Sequence, residues 1–177
     1  SAQLAHVHLL NHDIASAQAV IDEALTRFGH IQAFSMFDIA MYQTEAELAL
    51  TQDDYARAIQ ICDQMISILR SNRIRQRLPN ALYCKGLALR QEKKLDEASA
   101  TFQDAQHEAE FAQSRWMLWR IFAALAELEN AKGNVDQAKL LQRQAREIVE
   151  YIAAHTPSTL RESFLNLRDV KSILDPG

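Results

Sequence analysis

Small and apolar positions recur along this chain at a nearly constant interval, with short polar clusters between them. The clearest stretch is 82–105, an apolar helical run, a charged break and a second run. Within it Gly86, Ala98 and Ala105 are small, and Phe102 stands between the two alanines. The same arrangement slides along the sequence. An alanine after the break recurs as Ala17, Ala58, Ala98 and Ala138, spaced 41, 40 and 40. Three residues before each comes a large apolar residue: Ile14, Tyr55, Leu95 and Val135. The small residue of the preceding run recurs as Ala5, Ala46, Gly86 and Ala126. A second small position gives Ala24, Ala105 and Ala145, with Met65 the exception. Close helix crossings need small side chains at fixed points, because Cβ size limits the approach. The pattern predicts helix-turn-helix units in series.

Turn chemistry sets the expected boundaries. Residues 1–10 read as the end of a first helix, and Asp13 is placed to cap a second one running to 28. Gly29 should end it. A first helix is expected over 31–50, with Phe34, Phe37, Met41 and Leu48 at near-helical spacing, then a turn ending in Asp54 and a helix over 55–69. Pro79 suits a first helical turn, so the next helix begins or kinks there, and its partner spans 95–111. Helices over 114–131 and 135–154 flank Gly133-Asn134. After Thr156-Pro157, the stripe Leu160, Phe164, Leu167, Val170 and Leu174 predicts one charged helix or two short ones.

This register resembles that of the tetratricopeptide-repeat (TPR) family over roughly residues 1–155. The spacing of 40 exceeds the family's usual ~34. The usual first-helix aromatic is absent or displaced, and no proline closes each repeat. The likeness is to long-helix variants in bacterial signalling and regulatory proteins with C-terminal TPR arrays. It implies an all-α fold, a right-handed α-solenoid of about four repeats over 1–155 with the first truncated, and a capping helix in 156–177. The run Leu160 to Asn166 also looks like the closing segment of such proteins. A piece of a longer chain is the expectation, linked to an ATPase, cyclase or transcription-regulator module.

The resemblance further implies a non-catalytic scaffold that binds a protein or peptide. TPR arrays line their inner face with first helices. Counting from each small residue, positions three before, one after and four after face inward. The expected groove is therefore Gln43, Glu47, Tyr83, Leu87, Arg90, Glu127 and Asn130, with His6, Leu9, Leu50 and Ala123 in the same register, and Asn80 and Arg120 one turn earlier. Arginine forks onto carboxylates, so the expected partner is acidic or carries a free C-terminal carboxylate. Both arginines are expected to point at solvent when the groove is empty. The alternative is a small-molecule sensor controlling the linked module, which requires a closed apolar pocket near Trp116 and Tyr83.

Composition narrows these classes. Aromatics are only 7% and there are 4 Gly and 3 Pro, a balance that favours nearly continuous helix. A net charge of −4 offers no global attraction to nucleic acid or anionic lipid. The stretch 70–94 departs from this, with eight basic residues (Arg70, Arg73, Arg75, Arg77, Lys85, Arg90, Lys93, Lys94) against Glu92 alone. It reads as solvated helix faces, or as a contact for an acidic peptide, a phosphate-bearing ligand or another domain of the parent chain.

Cys62 and Cys84 form no CxxC pair and read as reduced core thiols, which favours a cytoplasmic setting. No apolar run approaches the ~18 residues of a membrane span. His6, His8 and His12 lack the partners of a zinc shell, Glu108 and Glu110 lie two apart and do not face one another, and no phosphate loop or nucleophile elbow is present. Neither cofactor nor metal is therefore expected. Trp116 and Trp119 share a helical face and serve either packing or a ligand shelf. The half-missing first helix predicts an apolar edge at Leu4, Val7 and Ile14, and hence self-association.

Overall fold

The computed structural model describes residues 2–28 and 36–175, and every regular element among them is helical. The order is α1 (Ala2–Leu10), α2 (Ile14–Phe28), α3 (Met36–Thr51), α4 (Tyr55–Ser71), a 3₁₀ turn at Arg75–Arg77, α5 (Leu78–Gln91), α6 (Leu95–Phe111), α7 (Arg115–Ala131), α8 (Val135–His155), α9 (Ser158–Leu165) and α10 (Arg168–Leu174). The expected helix stop at Gly29, the expected start of the next helix at residue 31, and Phe34 lie outside the described residues, as does the side chain of Phe37. No helix among the described residues is long and apolar enough to cross a membrane.

The turns explain the regular spacing. Asp53, Arg73, Lys93, Gln113 and Gly133, twenty residues apart, all take the left-handed conformation, with φ between 51 and 83°. His12 does the same. Each ends a helix in the same way. At the α5 end, Lys93 N donates to Arg90 O and Lys94 N to Leu89 O, both at 3.0 Å. That double bond pattern is the Schellman motif, which satisfies carbonyls that the helix end leaves open. Only Gly133 supplies the residue type that favours this backbone. Asp13 and Asp54 then cap the following helices, accepting from Ser16 N and Arg57 N at 3.1 Å.

Helices pack on their neighbours in chain order, from α1 on α2 through to α7 on α8. First helices of successive units also touch: α1 with α3, α3 with α5, and α5 with α7. The small residues sit at the crossings. Ala17, Ala58, Ala98 and Ala138 are fully buried, and so are Ala5, Ala46 and Ala126 to within a percent. Gly86 is the tightest point, because Phe102 of α6 fills the space its side chain would occupy. Cys62 and Cys84 are free, buried and in contact across α4 and α5. The hydrogen bond between them, reinforced by burial, pushes the Cys84 thiol well up.

The tail forms two short helices, both packed on α8. The chain is extended at Leu167 (φ −59°, ψ 133°), which breaks the helical phase between them. As a result Phe164 and Val170 are buried, whereas Leu160 and Leu167 face solvent. The expected stripe is therefore split: its members at 160 and 167 do not join the core.

Candidate functional site

Along α3, α5 and α7 the buried positions face the second helices, and a complementary set stays partly open. Gln43, Glu47 and Leu50 on α3, Asn80, Tyr83, Leu87 and Arg90 on α5, and Arg120 and Ala123 on α7 are all half-buried, while Glu127 and Asn130 are exposed. These are the positions predicted from the repeat register. They form one accessible stripe across three touching helices.

Part of the stripe closes into a cavity. Tyr83, Leu87 and Arg90 from α5 face Arg120, Ala123 and Glu127 from α7 across a space of ≈ 210 Å³. Trp119 and Ala124 contribute to its walls, and α10 lies at its rim with Asp169, Ser172 and Ile173. Neither arginine points freely at solvent, contrary to expectation. Arg90 pairs with Glu127, and Arg120 Nη2 stands 3.9 Å from Asp169 Oδ2. The arginine side chains are 22% and 31% exposed, against 65% and 66% for their acidic partners. The cations are thus fixed in the wall and the carboxylates are at its edge. Solvent-facing pairs of this kind contribute roughly 0–1 kcal/mol, so neither holds the site shut.

The wall is rich in donors. Arg120 lies over the Tyr83 ring with 5.2 Å to the centroid, a distance at which guanidinium and π face attract. Burial pushes the Tyr83 hydroxyl up, with Arg120 opposing, so the phenol stays protonated. Among the described residues the Trp119 indole Nε1–H has no acceptor. Two guanidinium groups and a phenol suit a ligand that brings acceptors, above all a carboxylate.

Gln43 and Glu47 form a separate group at the other end of the stripe. Gln43 Nε2 donates to Glu47 Oε1 at 2.7 Å and lies 3.5 Å from Cys84 Sγ, and His6 Nδ1 stands 3.0 Å from Glu47 Oε2. Asn80 lies on the first turn of α5, and Asn130 lies beyond the cavity on α7; neither lines it.

No family model, curated protein or solved structure matches the chain.

The remaining candidates resolve into ordinary contacts. Five of the eight basic residues in 70–94 are paired: Arg70 with Asp104, Arg75 with Glu108, Lys85 with Asp63, Arg90 with Glu127 and Lys94 with Glu92. Most of those acids come from the following helices, which is why the run looks unbalanced in sequence. Among the histidines, His8 bonds Asp13 and His6 bonds Glu47. Trp119 is buried, and Trp116 bridges it to Phe164 of α9, with centroids 5.9 and 6.2 Å away. Trp119 was open in the sequence as packing or a ligand shelf, whereas nothing there pointed to the wall residues Ala124, Asp169, Ser172 and Ile173. The last three share a face of α10 at i, i+3 and i+4, a pattern visible only once the phase break at Leu167 is known.

Proposed function

We propose that this chain is a non-catalytic, protein- or peptide-binding scaffold, a right-handed TPR-like α-solenoid that captures an acidic segment along its first-helix face. The observation that carries this reading is the cavity between α5 and α7, where Tyr83, Leu87, Arg90, Arg120 and Glu127 converge. Contacts between successive first helices support placing that layer on the inside of a curve. Rigid helices hold the two guanidinium groups at one spacing, so a partner's carboxylates meet donors already in position.

Cavity size separates this from the small-molecule sensor. Pockets for drug-sized molecules run about 300–1,000 Å³ and are mostly apolar. A space of ≈ 210 Å³ with two arginines in its wall suits one or two side chains of a longer ligand. The parent setting that fits is a cytoplasmic bacterial signalling protein in which this region regulates a linked module.

Thermal shift tests the choice. Acidic peptides, with and without a free C-terminal carboxylate, should raise Tm in a concentration-dependent way. Amino acids and small dicarboxylates at millimolar concentration should leave it unchanged. Stabilisation by the small acids alone would overturn the peptide reading in favour of the sensor.

A further inference from the structure

The α10 helix stands at the rim of the cavity that a bound partner would enter. Its Asp169 reaches toward Arg120, and its Ser172 and Ile173 line the cavity made by α5 and α7. Those side chains fall at i, i+3 and i+4, one face of a helix. On the other side the helix is held by Val170, its one fully buried residue, with Ile173 and Leu174 half-buried against the same core. Toward the cavity the attachment is slight. Asp169 is 66% exposed and 3.9 Å from its cation, too far for a forked pair. The helix has seven residues, well below the length at which a helix persists by itself, and follows an extended hinge at Leu167.

We propose that α10 is a resident occupant of the partner site, and that the partner's own segment displaces it. The inference rests on the first-helix face being a peptide-binding surface, and it names the peptide. The partner segment is a short amphipathic helix with a carboxylate directed at Arg120 and an aliphatic residue four positions later, the relation of Asp169 to Ile173. Displacement follows from shared contact and charge. The ≈ 210 Å³ is the space left open with α10 in place, but a partner carboxylate that takes Arg120 needs the side of that guanidinium which Asp169 faces. A second carboxylate beside Arg120 would also meet the Asp169 charge at close range, a repulsion that release of α10 removes. The tail thereby sets a threshold: only a segment that outcompetes a tethered occupant gains the site.

The test uses the full chain and a fluorescein-labelled peptide of residues 166–175. In the wild-type chain the tethered α10 should exclude this peptide. In an opened variant, Asp169→Lys with Ile173→Asp, it should bind at least tenfold more tightly, and adding Arg120→Gln should remove that gain. Equal binding to the wild-type and opened chains would overturn displacement while leaving the binding face intact. No binding to either would overturn the inference outright; the thermal-shift response to other acidic peptides then decides the binding face separately. Hydrogen exchange on the wild-type chain gives a second check that needs no variant. The α10 amides should exchange through an opening that leaves α7 and α8 protected. Exchange of α10 only together with α7 and α8 would make it a fixed part of the core and end the proposal.

Discussion

Gly86→Ala puts the repeat geometry to its sharpest test, because two known effects oppose each other there. In an unhindered helix the change would stabilise by about 1 kcal/mol through propensity. Here a Cβ at residue 86 would lie 2.5, 2.7 and 2.8 Å from three ring carbons of Phe102. Carbon atoms pack at about 3.5–4.0 Å, so the ring or a helix must retreat by roughly 1 Å. Phe102 is fully buried and has nowhere to go without moving α6. Overpacking of this sort costs about 1–3 kcal/mol, and three close contacts place it in the upper part of that range. A net loss of about 1–2 kcal/mol should result, seen as a fall of several degrees in Tm by calorimetry. Phe102→Leu should relieve the clash, so the double variant should be more stable than the sum of the singles predicts. At the same spacing, Ala46 shares a buried cluster with Cys62 and Ala5 one with Ile21, each pairing a larger first-helix residue with a smaller second-helix one, whereas the fourth position is the exposed Gln142. Stabilisation by Gly86→Ala alone, or strict additivity with Phe102→Leu, would refute the crossing geometry.

Three further outcomes follow from named contacts. Phe164→Ala should cost about 3 kcal/mol of global stability, since it removes a buried ring packed on Trp116; Val170→Ala should cost about 1.5 kcal/mol or less and act on α10 locally. A denaturation series ranking Val170 above Phe164 would show that α10, not α9, covers the end. On α1, Leu4, Val7 and Leu10 are 49%, 49% and 67% exposed, so the chain should self-associate at high concentration; sedimentation of Leu4→Glu with Val7→Glu should return a monomer, and an unchanged profile would place the contact elsewhere. Hydrogen bonds from the Ser16 hydroxyl and then its backbone N–H hold the Asp13 carboxyl below its ordinary 3.8. A depressed pKa stabilises the folded form above 3.8 and loses that stabilisation as pH falls through the folded value. Acid should therefore loosen the start of α2 in the wild type, and less so in Asp13→Asn, which caps without titrating; equal acid responses by amide exchange would contradict this.

Much of the fold was legible because its constraint is steric and repeated. Ala17, Ala58, Ala98 and Ala138 stand at an interval that recurs three times, and all four are fully buried. The turns were less visible. Gly133 announces a left-handed residue, whereas Arg73, Lys93 and Gln113 adopt the same backbone with no sign of it in their residue type. The accessible stripe followed from the register, and six of its eleven residues meet in one cavity. What completes that cavity did not follow. The Arg120 counter-charge is Asp169, beyond a phase break that a continuous 3.6-residue period runs straight through. Pairing of Arg90 with Glu127, 37 positions on, is likewise a property of stacking and leaves no local trace.

Calorimetric titration measures whether the first-helix face binds an acidic segment through Arg90 and Arg120. A peptide chosen from the thermal-shift series would be titrated into the wild-type chain, Arg90→Gln, Arg120→Gln and Lys139→Glu. Lys139 is exposed on α8, away from the cavity wall. Each arginine change should weaken binding at least tenfold, about 1.4 kcal/mol or more, with the weakening shrinking as salt is added. Lys139→Glu should stay within about twofold of the wild type, roughly 0.4 kcal/mol. Equal losses at all three positions, or none at the arginines, would rule out the arginine face and move the partner to another surface.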